Sequence, residues 1–201
     1  MEEFDGESAE DIQRPIMKGT LCAALFTADN KWYRVRVVGK AKGEIEVKFI
    51  DYGNSEKVPE ATLRKLPAHL LAYEPQAMSA SLAYVRAPRL DQTLGPQAGK
   101  YIQKHGLNMI HDAVVVESES GKPLKVILME QGEEDWASSL NAYIVAEGLA
   151  ILEKYVKQSG RDSDIPEQIS TWVEFEDEAR SGQIGLWKHG NAAGVLDDDD
   201  Y

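Results

Sequence analysis

The sequence predicts an α+β protein in which a small, strongly bent β-barrel precedes a domain of mixed strands and helices. Two observations predict the barrel: apolar and polar residues alternate with period two through residues 32–38 and 44–50, and a Lys-Gly turn joins the two runs. One observation predicts the mixed domain: beyond residue 76, alternating runs are followed by apolar residues at helical spacing, bounded by capping residues.

The hairpin at residues 32–50 should bury one of its faces. The apolar positions that share this face are Tyr33, Val35 and Val37 in the first run and Ile45, Val47 and Phe49 in the second. The second run leads into an Asp-Tyr-Gly-Asn corner at residues 51–54, whose Gly and Asn favour a tight reversal. Tyr33, Phe49 and Tyr52 should therefore gather at one end of the barrel.

Shorter elements complete the predicted barrel. Strands are expected at residues 19–26 and 54–58. Residues 59–67 should form a compact turn in which Leu63 and Leu66 close the bottom of the barrel. Four or five short strands within about fifty residues suit a small closed sheet.

The remaining chain should alternate strands with helices. The expected elements are strands at residues 76–85, 108–117 and 124–130, and helices at residues 96–105, from Asp135 to near Gly148, and from Pro166 to Gly182. Asp135 suits an N-cap, and Pro166 after Asp164 suits the first turn of a helix. The predicted organisation is an acidic leader at 1–17, the barrel at 18–72, the mixed domain at 73–190 and an acidic disordered tail at 191–201.

Composition indicates a folded protein of a reducing compartment. The chain has 201 residues, of which 43% are hydrophobic, and no apolar run approaches the ~18–20 residues of a membrane span. The N-terminus has no apolar core of a signal peptide. Cys22 is the only cysteine, which excludes an internal disulfide and a cysteine-based zinc cluster; within an apolar run, it is expected to be a buried thiol.

Charge is unevenly distributed along the chain. The net charge of −12 argues against broad, phosphate-driven binding of nucleic acid. Residues 18–72, however, carry ten Lys and Arg against six Asp and Glu. The basic residues of the predicted barrel strands are Arg34, Arg36, Lys40, Lys42 and Lys48. They form either a solvated barrel face or a strip that contacts RNA phosphate.

Several runs resemble known domains. The run from Phe26 through the Trp-Tyr-Arg of residues 32–34 to the corner at residues 51–54 resembles a Tudor domain. The later runs SLNAYIVAEGL, at residues 139–149, and GLW, at residues 185–187, resemble the end of a staphylococcal-nuclease-like domain. In this order they resemble the C-terminal part of the Tudor staphylococcal nuclease (p100 co-activator) family, over residues 18–188. The resemblance implies an SH3-like barrel joined to a partial OB-type nuclease-like domain, incomplete because only 17 residues come first.

The resemblance also implies a methylarginine cage. By position in the motif, the cage residues are the aromatic walls Phe26, Tyr33, Phe49 and Tyr52, and Asn54, whose amide accepts a guanidinium N–H. Phe49 stands at a position where relatives can carry Tyr. Phe keeps the π face of the ring but lacks the tyrosine hydroxyl. Each aromatic face contributes on the order of 0.5–2 kcal/mol to the binding free energy of a methylated cation. The alternative is that these aromatic residues only fill a closed barrel that docks other proteins.

The function implied by the resemblance is non-catalytic reading of symmetric dimethylarginine. The implied partners are methylated Arg-Gly-rich peptides of Sm-type or other ribonucleoproteins, and the implied setting is a scaffold of RNA processing or silencing in the cytoplasm and also the nucleus. The alternative is a scaffold that contacts RNA through the basic strands.

No cofactor, metal site or catalytic residue is predicted. The histidines His69, His105, His111 and His189 are scattered, and nothing matches the calcium-binding carboxylates and arginines of a staphylococcal-type nuclease. Other domains of a longer protein would have to supply any nuclease activity.

Overall fold

The computed structural model describes residues 9–41, 43–153 and 167–188. The chain divides into two units, residues 1–79 and residues 80–201, and each is described by itself. Outside the described residues lie residues 1–8 of the predicted leader, Lys42, the predicted helix start at Asp164 and Pro166, His189 and the acidic tail.

The first unit contains a four-stranded antiparallel sheet whose strands follow the order of the chain. The strands are β1 (Leu21–Phe26), β2 (Lys31–Ala41), β3 (Glu44–Phe49) and β4 (Ser55–Pro59). Burial alternates along β3, where Ile45, Val47 and Phe49 are buried and the residues between them are exposed. This alternation confirms the predicted hairpin and the face that it buries.

The chain beyond β4 closes this sheet into a barrel. A 3-10 turn at Glu60–Thr62 brings Arg64 beside Ala23 of β1, where the two backbones exchange hydrogen bonds of 2.9 and 3.0 Å. Leu63 and Leu66 are buried, as predicted. The buried core of the barrel consists of Cys22, Ala24, Val35, Val37, Ile45, Val47, Phe49, Val58 and Leu63. The next element is the one-turn helix α1 (Ala68–Leu71).

The second unit combines two small sheets with helices. Its described strands are β5 (Ala80–Leu82), β6 (Val85–Arg86), β7 (His111–Glu117), β8 (Leu124–Glu130) and β9 (Ile151–Leu152). Its described α-helices are α2 (Gly95–Gly106), α3 (Leu140–Ala146) and α4 (Ser170–Ser181). In one sheet β8 lies between β5, which is parallel to it, and β7, which is antiparallel; in the other, β6 pairs with β9. The predicted α+β class is confirmed.

Two predicted elements are wrong in their extent. The single strand predicted at residues 76–85 is two strands, β5 and β6, because Tyr84 between them has a φ of 65° and turns the chain into the second sheet. The helix predicted from Asp135 is a 3-10 helix, Trp136–Ser138, followed by α3 with its own cap, Ser139. The described residues of this unit contain five strands: the one predicted at residues 76–85 is two, and β9 was not predicted.

Asn141 of α3 connects three parts of the second unit. Its side chain is fully buried, and its amide nitrogen donates hydrogen bonds to the carbonyl oxygens of Ala83 and Val126, each at 3.0 Å. Its Oδ1 accepts a hydrogen bond from the backbone N–H of Leu128 at 3.1 Å. A buried amide with all these partners fixes α3 against β8.

Candidate functional site: an aromatic pocket on the barrel

The end of the barrel where β1 and β3 finish carries a pocket of about 180 Å³. Its lining residues are Phe26, Asp29, Tyr33, Phe49, Tyr52 and Asn54. Phe26 and Phe49 are the last residues of their strands, Tyr33 lies near the start of β2, and Tyr52 and Asn54 belong to the corner that follows β3. The structure therefore brings together all five predicted cage residues and adds one that was not predicted.

The four aromatic rings of the pocket meet edge to face. The ring centroids are separated by 5.1 Å for Phe26 and Phe49, 6.0 Å for Tyr33 and Phe49, and 5.2 Å for Tyr33 and Tyr52. The interplanar angles of these pairs lie between 72° and 85°. Such contacts set the positive edge of one ring against the negative face of another, which stabilises the arrangement without a ligand.

The aromatic residues differ strongly in exposure. Phe49 has 1% of its surface exposed and forms the floor of the pocket, whereas Tyr52 is 64% exposed at its mouth. Phe26 and Tyr33 are half-buried. Aromatic residues that only filled the core would all be buried, so this gradation favours an accessible cavity over a closed, filled barrel.

Asp29 supplies a carboxylate to the pocket. The Tyr33 hydroxyl donates a hydrogen bond to Asp29 Oδ2 at 2.6 Å, and the backbone N–H of Lys31 donates to Oδ1 at 3.0 Å. The hydrogen bond from Tyr33 holds the pKa of Asp29 below its usual value. The same bond, together with burial and the charge of Asp29, raises the pKa of Tyr33 to about 12. At neutral pH the pocket therefore contains a carboxylate beside a neutral phenol.

The sequence motif does not include Asp29, which lies between the predicted strand at 19–26 and the alternating run at 32–38. A signal was present. The turn joins Phe26 to Tyr33, both of which were predicted pocket residues, and Asp29 is its only carboxylate. A turn whose two ends both enter a pocket places its own side chains at the rim of that pocket.

Arg34 holds the corner that carries Tyr52 and Asn54. Its guanidinium forms a two-point ion pair with Asp51, with N–O distances of 2.5 and 2.9 Å, and both side chains are largely buried. The guanidinium also donates hydrogen bonds of 2.6–3.0 Å to the backbone carbonyls of Leu70, Tyr73 and Glu74. Asp51 Oδ1 accepts a further hydrogen bond from the backbone N–H of Gln76 at 3.2 Å. Residues 70–76 are thereby fastened to the corner.

These contacts involve two of the basic residues of the barrel strands. Arg34 is largely buried and engaged by the corner, and the exposed side chain of Lys40 has its Nζ 2.5 Å from Glu60 Oε2. Arg36 and Lys48 remain exposed, directly opposite each other on β2 and β3. The fifth member of the strip lies outside the described residues.

Other candidate chemistry is sparse. The part of the chain that the structure describes holds no group of three or more His, Cys, Asp or Glu side chains that could bind a metal ion. Cys22 is fully buried in the barrel core, and burial raises the pKa of its thiol to about 12. None of the described helices has the length and apolar character that crossing a bilayer requires.

Comparisons with known proteins bear on the fold of the chain. A family model described as a Tudor domain matches residues 1–84. Ribonuclease TUDOR 1 of Arabidopsis thaliana is 30% identical over 190 residues, a match that covers 87% of this chain and only 19% of that protein's length. The extended Tudor domain of Drosophila melanogaster Tudor-SN (p100) is 26% identical with a TM-score of 0.73, and the match covers 90% of this chain and 81% of that one.

A further solved structure contains a ligand. The human TDRD1 extended Tudor domain, in complex with a symmetrically dimethylated E2F peptide, is 26% identical with a TM-score of 0.61, and the match covers 74% of this chain and 72% of that one. The comparisons confirm the resemblance of the barrel and of the mixed unit that follows it. Residues 1–84 therefore match the Tudor domain family, and the chain has the fold of an extended Tudor domain.

Proposed function

We propose that this chain is a non-catalytic reader of symmetric dimethylarginine in Arg-Gly-rich peptides. The observation that carries the proposal is the pocket in which the rings of Phe26, Tyr33, Phe49 and Tyr52 meet beside the amide of Asn54. The proposal is also supported by the human TDRD1 domain, which shares the fold and was solved with a symmetrically dimethylated peptide.

The chemistry of the pocket suits a methylated guanidinium. Methyl groups weaken the hydration of the cation, so less free energy is lost when it leaves water for a box of aromatic faces. Each face contributes on the order of 0.5–2 kcal/mol. The planar guanidinium also stacks on aromatic rings, and its remaining N–H groups require acceptors, of which Asn54 offers one.

The wider setting follows from the ligand class. We assign as partners arginine-methylated, Arg-Gly-rich segments of ribonucleoproteins, of the Sm type or similar. A reader of such segments would act in a scaffold of RNA processing or silencing, in the cytoplasm and also the nucleus. Ribonuclease TUDOR 1 carries a nuclease name, but the chain spans 19% of its length, so such activity is assigned to other domains.

Calorimetric titration tests the reader function. One Arg-Gly peptide is titrated in its unmodified form and in its symmetrically dimethylated form. The matched variants are Tyr52→Ala and Tyr73→Ala, because the two side chains are 64% and 65% exposed but only Tyr52 lines the pocket. Methyl-dependent binding that Tyr52→Ala abolishes and Tyr73→Ala leaves unchanged is the expected result. Equal binding of both peptides, or no binding of either, would contradict the proposed reader function.

A second function, RNA binding, keeps a narrower basis. Arg36 and Lys48 are like charges directly opposite each other on exposed strand positions, an arrangement that an anion would stabilise. Single-stranded RNA titrated across a salt series distinguishes the two functions. Phosphate binding weakens steeply with salt, while cage binding weakens gently. Loss of RNA binding in Arg36→Ala with Lys48→Ala would favour this function.

A further inference from the structure

We infer that Asp29 is a specificity-determining residue of the aromatic pocket. Its carboxylate favours a methylated guanidinium, which keeps N–H groups, over a fully methylated ammonium, which has none. The inference rests on the proposed function, because it concerns which methylated cation the same pocket accepts. It does not follow from the aromatic rings, whose faces attract both cations.

The carboxylate of Asp29 is held in one orientation. Oδ2 accepts the hydrogen bond from the Tyr33 hydroxyl at 2.6 Å, and Oδ1 accepts the one from the Lys31 backbone at 3.0 Å. Two carboxylate oxygens offer about four acceptor positions, so each oxygen keeps one for a ligand. A site that is oriented before binding loses little entropy when the ligand arrives.

The turn that carries Asp29 is also tied to β4. The hydroxyl and the backbone N–H of Thr27 both donate to the carboxylate of Glu56, the latter over 3.4 Å. The turn is therefore fixed at its start by Glu56 and at its end by the bonds of Asp29 itself. This support makes Asp29 a fixed part of the pocket wall.

The other polar side chains that line the pocket are neutral. They are the phenols of Tyr33 and Tyr52 and the amide of Asn54, and the Tyr33 hydroxyl already donates its hydrogen bond to Asp29. Asp29 is thus the anionic member among the described lining residues. A ligand N–H that reaches it forms a charge-assisted hydrogen bond, which is stronger than one to a neutral amide.

The two cations carry the same charge, so selectivity between them must come from their different capacity to donate hydrogen bonds. Either one displaces water from the rim of the pocket. A guanidinium N–H replaces the lost hydrogen bond to the carboxylate, whereas a trimethylammonium group leaves that bond unmade. The expected preference for dimethylarginine over trimethyllysine is roughly tenfold or more.

The test compares two peptides of equal charge by calorimetry. Both share one Arg-Gly sequence, with either symmetric dimethylarginine or trimethyllysine at the same position. The variants are Asp29→Asn, which removes the charge but retains an oxygen that can accept the Tyr33 hydrogen bond, and Glu44→Gln. Glu44 is an exposed carboxylate at the start of β3 and lies outside the pocket, so its variant controls for the loss of one negative charge.

The expected result is a preference of about tenfold in the unaltered chain that Asp29→Asn reduces to near unity and Glu44→Gln preserves. An unaltered chain that binds both peptides equally overturns the inference while the reader function stands. The same holds if Asp29→Asn folds and keeps the full preference. If neither methylated peptide binds more tightly than the unmodified one, the proposed function itself fails.

Tyr33→Phe separates direct contact from indirect support. This variant keeps the ring and the Asp29 charge but removes the hydrogen bond between the two side chains. If Asp29 contacts the ligand, Tyr33→Phe retains most of the preference for dimethylarginine. Loss of the preference in Tyr33→Phe, with retention in Asp29→Asn, would instead assign Asp29 to orienting Tyr33 and would overturn the inference.

Discussion

Gly148 and Gly185 pack backbone against backbone in the second unit. Both have positive φ values, of 62° and 56°, and the backbone N–H of Leu186 donates a hydrogen bond to the carbonyl oxygen of Gly148 at 2.8 Å. A Cβ on Gly185 would lie 2.2 Å from that oxygen. The two short runs that carry these glycines, after α3 and after α4, are each a weak sequence signal. Their contact supplies a physical reason for their occurrence in one chain.

Gly185→Ala should therefore destabilise the second unit by about 2–4 kcal/mol, from backbone strain together with overpacking. Denaturant unfolding followed by circular dichroism measures the loss. Gly121→Ala is the matched control: its φ is 81°, but an added Cβ would meet nothing within 4 Å. The control should lose about 1 kcal/mol from strain alone. Equal losses in both variants would show that the contact with Gly148 contributes nothing.

Local patterns predicted the parts of the site that depend on neighbouring residues. Period-two alternation placed Tyr33 and Phe49 on the inner face of one hairpin, and the Gly-containing corner placed Tyr52 after it. The convergence of these three side chains was predictable from strand geometry, whereas Phe26 and Asn54 were predicted from the resemblance.

The features that the sequence did not predict depend on segments that are distant from each other in the chain. Alternation placed Arg34 and Arg36 on one face, but only Arg34 is covered by residues 70–76. Periodicity indicates which face a side chain occupies and gives no information on what covers that face. Likewise, β5 pairs in parallel with β8, about forty residues later in the chain, so no local signal fixed where that strand ends.

Arg34→Lys should lower both the stability of the barrel and the affinity of the pocket for its peptide. Lysine keeps the charge but cannot make the two-point ion pair with Asp51 while bonding three carbonyl oxygens. The expected loss in the free energy of unfolding is about 3 kcal/mol, since the partner carboxylate stays largely buried. Binding of a dimethylated peptide should weaken as well, because the corner that carries Tyr52 loses its support.

Arg36→Lys provides the comparison for this prediction. Arg36 lies two residues further along the same strand, but it is exposed. Its replacement should change stability by no more than about 0.5 kcal/mol and leave peptide binding unchanged. Thermal unfolding and calorimetry on both variants decide the matter. Similar effects at the two positions would contradict a special role for the ion pair of Arg34.

The hydrogen bond between Tyr33 and Asp29 should be detectable when the ionisation of the tyrosines is followed against pH. The pKa of Tyr33 is raised to about 12, while an unfolded tyrosine titrates near a pKa of about 10. Between these values the folded barrel holds a proton that the unfolded chain has lost, so stability falls as pH rises from about 10 to about 12. The lowered pKa of Asp29 affects stability at acidic pH. Its contribution to the free energy of unfolding is present above a pH of about 3.9 and is lost as pH falls through the lower pKa of the folded state.

Absorbance of tyrosinate against pH measures the first of these effects. Asp29→Ala removes the acceptor and should move the ionisation of one tyrosine to lower pH. Tyr33→Phe should delete the same high-pH step without shifting the others. Superimposable titration curves for the unaltered chain and Asp29→Ala would show that the hydrogen bond does not form in solution.

Cys22 offers a direct measurement of barrel opening. It is the single cysteine of the chain, lies in β1 with no exposed surface, and has a thiol pKa that burial raises to about 12. A thiol reagent at pH 8 should therefore react at least about a hundredfold more slowly with the native protein than with the protein unfolded in urea.

The same labelling reaction connects stability to the proposed ligand. Phe26 of the pocket ends the strand that contains Cys22, so opening that strand also dismantles the pocket. A dimethylated peptide at about a hundred times its Kd should slow labelling by up to about a hundredfold, because it binds only the closed barrel. The unmodified peptide and the Tyr52→Ala variant should show no slowing. Rapid labelling of the native protein would contradict the burial of Cys22, and slowing by both peptides would contradict methyl-dependent binding.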